Sequence, residues 1–216
     1  VFHNLTRAAD GGYIVSGEMQ IEDNRMGAWL IRVDDNGAIM WQRPYARGNR
    51  SAFLSAASTE GGLLLSGEVK PIGSARTSAW VMKVDLSGRL IWQRYYAGAY
   101  NYAARDLVVY DDGRASVLVD ATPNTLLDRG HLRLMTFSPR GYLMNVEEFS
   151  EGQGAHAFRL VKGPKGERIM SGYAQMSYAE VPSVNEIPVS TFNAWLVAAP
   201  SLDPYEDPCL PKSYLP

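Results

Sequence analysis

The sequence predicts an all-β chain built from a repeated unit, and three observations carry that prediction. A stretch of about fifty residues recurs along the chain. Each copy divides at glycine-bearing turns into short runs rich in β-branched and aromatic residues. Helical periodicity is never sustained for a dozen residues.

The repeat is plain in the residues themselves. GGYIVSGE at 11–18 returns as GGLLLSGE at 61–68, and AWLIRVDDNGAIMWQRPYARG at 28–48 returns as AWVMKVDLSGRLIWQRYYAG at 79–98. Gly37 maps to Gly88 and to Gly141 of FSPRGYLMNVEEF, where Phe149 stands for Tyr45 and Tyr96. KGERIMSGY at 165–173 with AWLV at 194–197 forms a weaker fourth copy. All five Trp residues fall on repeat positions: Trp29, Trp80 and Trp195 on one, Trp41 and Trp92 on another.

Within each copy, ADGG at 9–12, TEGG at 59–62, DDGR at 111–114 and PKGE at 164–167 separate a first strand from a second. DDNG at 34–37, DLSG at 85–88 and SPRG at 138–141 separate a third from a fourth, with a residue free to take positive φ at the hairpin. Four antiparallel strands at this period describe the blade of a β-propeller. A two-sheet sandwich shares the turn spacing but has no reason to repeat its sequence. The expected organisation is a single repeat domain over 1–200, a small, open or partial propeller with blades at about 1–50, 51–101, 102–153 and 154–200, followed by a Pro-rich tail at 201–216.

Composition narrows the function. The 216 residues (23.8 kDa) are 46% hydrophobic and 20% charged, enough to bury a core. A net charge of −2 argues against a nucleic-acid binder. No apolar run approaches the length of a membrane span. The single cysteine, Cys209, allows no internal disulfide and no multi-thiolate zinc site; a free structural thiol is expected there.

The DGG-(Y/L)-(I/L)-(V/L)-SGE and AW-(L/V)-x-(R/K)-VD-x-x-G-x-(I/L)-x-WQR-x-Y patterns resemble repeats of secreted and cell-envelope bacterial propellers. They are more loosely similar to the tryptophan-bearing blades of quinoprotein-like propellers. The resemblance covers residues 5–98 well, 102–149 less well and 154–199 weakly. It implies the blade architecture and an extracytoplasmic (periplasmic, cell-surface or secreted) location, and says little about activity. Quinoprotein enzymes of this type carry a vicinal cysteine disulfide and a calcium site. Their cysteine pair is missing here.

The pattern fails at the ends. The fourth copy lacks a recognisable fourth strand, and the tail from Pro200 holds five prolines in 17 residues, which suits an irregular strap rather than a ladder. The start at Val1 fits a processed or truncated chain. Two readings follow: part of a longer propeller, or a small ring or arc whose edges another protein covers.

Candidate binding residues lie in connections. Loops between second and third strands are expected at about 19–27, 69–78, 121–130 and 174–193. Three of them place an Arg four residues before the repeat position held by Trp: Arg25, Arg76 and Arg129. These form either a partial guanidinium ring for an anion or acidic partner, or local pairs with carboxylates such as Glu18, Glu68 and Asp120. Tyr95, Tyr96, Tyr100, Asn101 and Tyr102 crowd the link between copies two and three, a composition suited to stacking on a sugar or anchoring a peptide. Tyr96 belongs to the repeated core position, which leaves Tyr95, Tyr100, Asn101 and Tyr102 for binding. The insertion at 176–193, with Tyr178 and Phe192, reads as a docking arm.

Enzyme signatures are missing. His3, His131 and His156 fall in different copies without metal-ligand spacing, and there is no GxSxG elbow, P-loop or dinucleotide fingerprint. No cofactor and no metal are expected. The leading expectation is a non-catalytic interaction or structural subunit whose partners are other protein subunits. The alternatives are a glycan- or small-ligand-binding module, and a fragment of a propeller enzyme.

Overall fold

The computed structural model describes residues 1–22, 24–123, 130–150, 154–178 and 190–202. The chain is all-β, with no helix among the described residues. Its strands form four consecutive antiparallel meanders. The first contains β1 (Phe2–Arg7), β2 (Tyr13–Glu22), β3 (Arg25–Val33) and β4 (Ile39–Tyr45). The second contains β5 (Arg50–Thr59), β6 (Gly62–Lys70), β7 (Ser78–Asp85) and β8 (Leu90–Tyr96). The third contains β9 (Asn101–Val109), β10 (Ala115–Thr122), β11 (His131–Phe137) and β12 (Leu143–Phe149). The fourth has β13 (Gly154–Lys162), β14 (Arg168–Tyr178) and β15 (Ser190–Ala199) as its described strands. One parallel bridge, Met26 to Arg50, joins the first two meanders into a single eight-stranded sheet.

The turns explain the repeated VDxxG. Asp34 Oδ1 accepts the backbone N–H of Asn36 and Ala38, and Asp85 Oδ1 accepts those of Ser87 and Arg89. An aspartate at this position mimics a backbone turn, and the following glycine takes the positive φ that closes it. Gly37, Gly88 and Gly141 have φ of +83°, +78° and +79°.

Side-chain alternation explains the packing, because successive residues of a strand face opposite sides. In the second meander, Leu63, Leu65, Trp80, Met82 and Val84 pack against Ile14, Ala28 and Leu30 of the first. Leu64, Ala79 and Val81, between them in sequence, pack against the third meander through Tyr102, Ala104, Val117 and Phe137. Leu118, Leu132 and Leu134 then meet Ala155, Leu160 and Met170 of the fourth. The second and third meanders are therefore buried on both faces.

The fourth strands fasten one meander to the next. Trp41 Nε1 donates to Leu86 O at 3.1 Å, Arg43 Nε to Ser87 O at 2.9 Å and Tyr45 Oη to Gly88 O at 2.7 Å. The WQRxY strand of the first meander thus sits on the DLSG turn of the second. Trp92 lies in the same way over Gly141, where a Cβ would come within 2.6 Å of its indole.

Two loop expectations are corrected. Residues 19–22 and 25–27, expected within a loop at 19–27, are strand, because Met19–Glu22 pair with Gly27–Arg25. Likewise β14 runs to Tyr178 and β15 starts at Ser190, so the ends of the expected 174–193 loop are paired strand. The rest of the expected docking arm, Arg129, Cys209 and the tail beyond Leu202 lie outside the described residues.

Candidate functional site

The first strands of the four meanders share an irregularity that builds a site. Each has a bulge at the same register: between Phe2 and Asn4, Phe53 and Ser55, Ala104 and Asp106, and Ala157 and Arg159. A bulge leaves one residue unpaired and re-aims its side chain. The four bulged residues are His3, Leu54, Arg105 and Phe158. All of them line one pocket of about 400 Å³, together with Asp120, His156, Arg159 and Tyr173.

In three of the four meanders the SG dipeptide of the repeat lies opposite the bulge, and the third has Val119 at that position, paired with Ala104. Gly17, Gly67 and Gly172 lie opposite the bulge, where a Cβ would collide with the carbonyl oxygens of Val1, Ala52 and His156 respectively. Glycine in a strand interior marks such a close backbone approach.

Carboxylates hold this region from beneath. Asp106 accepts from Ser55 Oγ at 2.6 Å, from Leu107 N at 3.0 Å and from Leu160 N at 2.9 Å, so one buried side chain ties β5, β9 and β13 together. Asp120 accepts from Arg105 Nε at 2.9 Å and Ala157 N at 2.8 Å, with His156 Nδ1 at 3.7 Å. Glu18 takes both Nε and Nη2 of Arg50, at 2.8 and 2.9 Å, with His3 Nε2 at 3.6 Å. The Arg50 hydrogen bond holds the Glu18 carboxyl below its ordinary range despite the opposing effect of burial. His156 stacks on Tyr173 at 4.9 Å and Phe158 lies 5.4 Å from the same ring.

Of the binding candidates named from the sequence, none of Tyr95, Tyr100, Asn101, Tyr102, Arg25 and Arg76 lines this pocket. The Tyr-rich link is split by the second meander: Tyr95 stacks on Trp80 at 5.9 Å on one side, whereas Tyr100 and Tyr102 pack with the core on the other. Tyr102 is buried, with the Arg133 guanidinium 5.3 Å from its ring, so it serves packing rather than recognition. Tyr100 meets the His131 ring edge-on at 4.9 Å, and Asn101 Oδ1 accepts Thr77 N. Arg25 pairs locally with Glu22 at 2.6 Å rather than with Glu18, and Arg76 is exposed in the 71–77 connection. Tyr178 and Phe192 occupy positions on β14 and β15, paired with Ser190 and Gln175.

Two histidines that the sequence separates, His3 and His156, line the same pocket. The bulged residues carry no common residue type, so the repeat alignment hides them; the SG glycines were the available signal. Among the described residues, no three His, Cys, Asp or Glu side chains gather closely enough to hold a metal ion. No helix among them is long and apolar enough to cross a membrane.

A second feature lies at the end sheets. Phe2, Leu5 and Tyr13 of the first meander are 59%, 64% and 38% exposed, while their repeat counterparts Phe53, Ala56 and Leu63 are 0%, 4% and 1% exposed. On the fourth meander Leu196 is exposed where its counterparts Leu30, Val81 and Leu134 are fully buried. No protein-family model matches the chain, and no curated protein matches it significantly.

Proposed function

We propose that the chain is a non-catalytic, propeller-type interaction subunit, whose meanders act as blades and whose first meander receives a blade of a partner subunit. The observation that supports this reading is the uncovered face of the first meander. Phe2, Leu5, Tyr13 and Trp29 repeat the surface that the second meander buries, yet they lie at an outer face. Apolar surface of this kind on a soluble protein marks an interaction site.

The repeat specifies the chemistry of the occupant. At the internal junctions the indoles of Trp41 and Trp92 lie over Gly88 and Gly141. A Cβ at Gly37, the equivalent glycine of the first meander, would meet nothing within 4 Å. The fitting partner is therefore a four-stranded sheet whose last strand presents a Trp and a Tyr four residues apart, as WQRxY does. Its location, by the resemblance, is extracytoplasmic.

Leu5→Glu tests the reading, because this exposed position tolerates charge in the isolated chain, within about 0.5 kcal/mol. Native mass spectrometry of the protein isolated from its source is expected to show a complex that Leu5→Glu dissociates. A wild-type mass of 23.8 kDa alone, or an association indifferent to Leu5→Glu, would overturn it.

A further inference from the structure

We propose that the pocket lined by His3, Arg105, His156, Phe158 and Arg159 binds a small carboxylate ligand with a flat, aromatic body. The argument rests on which charges face the opening. The carboxylates of Asp120 and Asp106 are only 2% and 7% exposed, while the guanidinium-bearing side chains of Arg105 and Arg159 are 38% and 60% exposed. His3 and His156 are also partly exposed. Asp106 and Asp120 are occupied by buried hydroxyl, backbone and guanidinium donors. An entering molecule therefore meets N–H donors backed by a buried negative layer that fixes their positions.

The geometry leaves donor capacity at the opening. Asp120 engages Arg105 through Nε, and the Arg159–Asp106 ion pair spans 3.9 Å, longer than a hydrogen bond. Arginine's planar fork matches a carboxylate in two parallel hydrogen bonds. The same lining carries an aromatic group, Phe158 and His156 packed on Tyr173, with Leu54 also in the lining. Phe158 is exposed although it is a large apolar ring, and a bulge aims it here. A volume of about 400 Å³ accommodates one ring and its acidic group. A cation would face guanidinium groups, and a neutral sugar lacks the charge that makes a hydrogen bond to them strong.

This proposal stands apart from the docking reading, since it uses the bulged strands and not the face of the first meander. The probes are benzoate, benzamide and benzylamine, titrated into the full chain while the imidazole signals of His3 and His156 are followed by NMR. Benzoate is expected to shift both signals saturably in the millimolar range, benzamide more weakly and benzylamine not at all. Arg159→Gln, at an exposed position, should weaken benzoate binding about tenfold without changing the melting temperature, and Phe158→Ala should weaken benzoate and benzamide alike. Unmoved imidazole signals, benzylamine binding equal to benzoate, or an Arg159→Gln protein that binds benzoate normally would each overturn the proposal.

Discussion

Gly67 shows how a single residue can be required twice, once by the backbone opposite it and once by the pocket that backbone builds. The bulge at Phe53–Ser55 pushes the Ala52 carbonyl toward Gly67, so any side chain there displaces main chain rather than a mobile neighbour. Gly61 poses the opposite case. It has φ of +71°, but nothing lies within 4 Å of a Cβ built on it. Gly61→Ala should therefore cost only the left-handed strain, about 1 kcal/mol. Gly67→Ala should cost more than about 3 kcal/mol, because backbone overpacking is among the severe classes of substitution. Urea unfolding of the two variants separates these cases, and equal losses would contradict the close approach of the Ala52 carbonyl as the reason for glycine at position 67.

At the scale of elements, the strand that reads WQRxY acts as a fastener between meanders. Trp41 and Trp92 hold equivalent positions but differ in one bond: Trp41 donates its N–H to Leu86 O, while Trp92 Nε1 is buried without a partner. Trp92→Ala should cost about 2–3 kcal/mol, below the full core value because the indole is only partly buried. Trp41→Phe should cost about 1 kcal/mol more than Trp92→Phe, the worth of one hydrogen bond. Equal losses for the two Phe variants in thermal unfolding would contradict this assignment. The strands and turns were legible because VDxxG and DGG need particular residues at particular torsions. The long hairpins were less so. Met19–Glu22 alternates apolar and polar as a strand should, but the copies differ in length there, and variable length resembles a loop. The pocket was hidden for another reason. A bulge fixes the direction of a side chain and not its identity, so His3, Leu54, Arg105 and Phe158 share a place without sharing chemistry. The Tyr cluster misled in the converse way, since neighbours in sequence fall on opposite sides of a sheet.

For the whole molecule, the joints between meanders are apolar clusters reinforced by a few ionic contacts, and acid should loosen those joints in two steps. His131 faces Tyr100 at the junction of the second and third meanders, and burial holds its imidazole below the ordinary value of 6.5. The unfolded chain therefore takes up a proton before the folded one does. Stability conferred by neutral His131 is complete above pH 6.5 and is lost as pH falls from there through the lower folded value. Glu18, whose carboxyl joins the first meander to Arg50 of the second, is depressed from 4.5. Its contribution is present above that value and is lost as pH falls through the lower folded one, by the same linkage. The melting temperature of the wild-type chain should thus decline in a first limb below pH 6.5 and a second one below 4.5. His131→Phe, which keeps a ring against Tyr100, should flatten the first limb and leave the second. Glu18→Gln should lower the plateau at neutral pH and flatten the second limb, because a neutral amide holds Arg50 weakly at every pH. A first limb that persists in His131→Phe would place the proton uptake elsewhere, and a neutral plateau unmoved by Glu18→Gln would remove the ionic clasp from the forces joining the first two meanders.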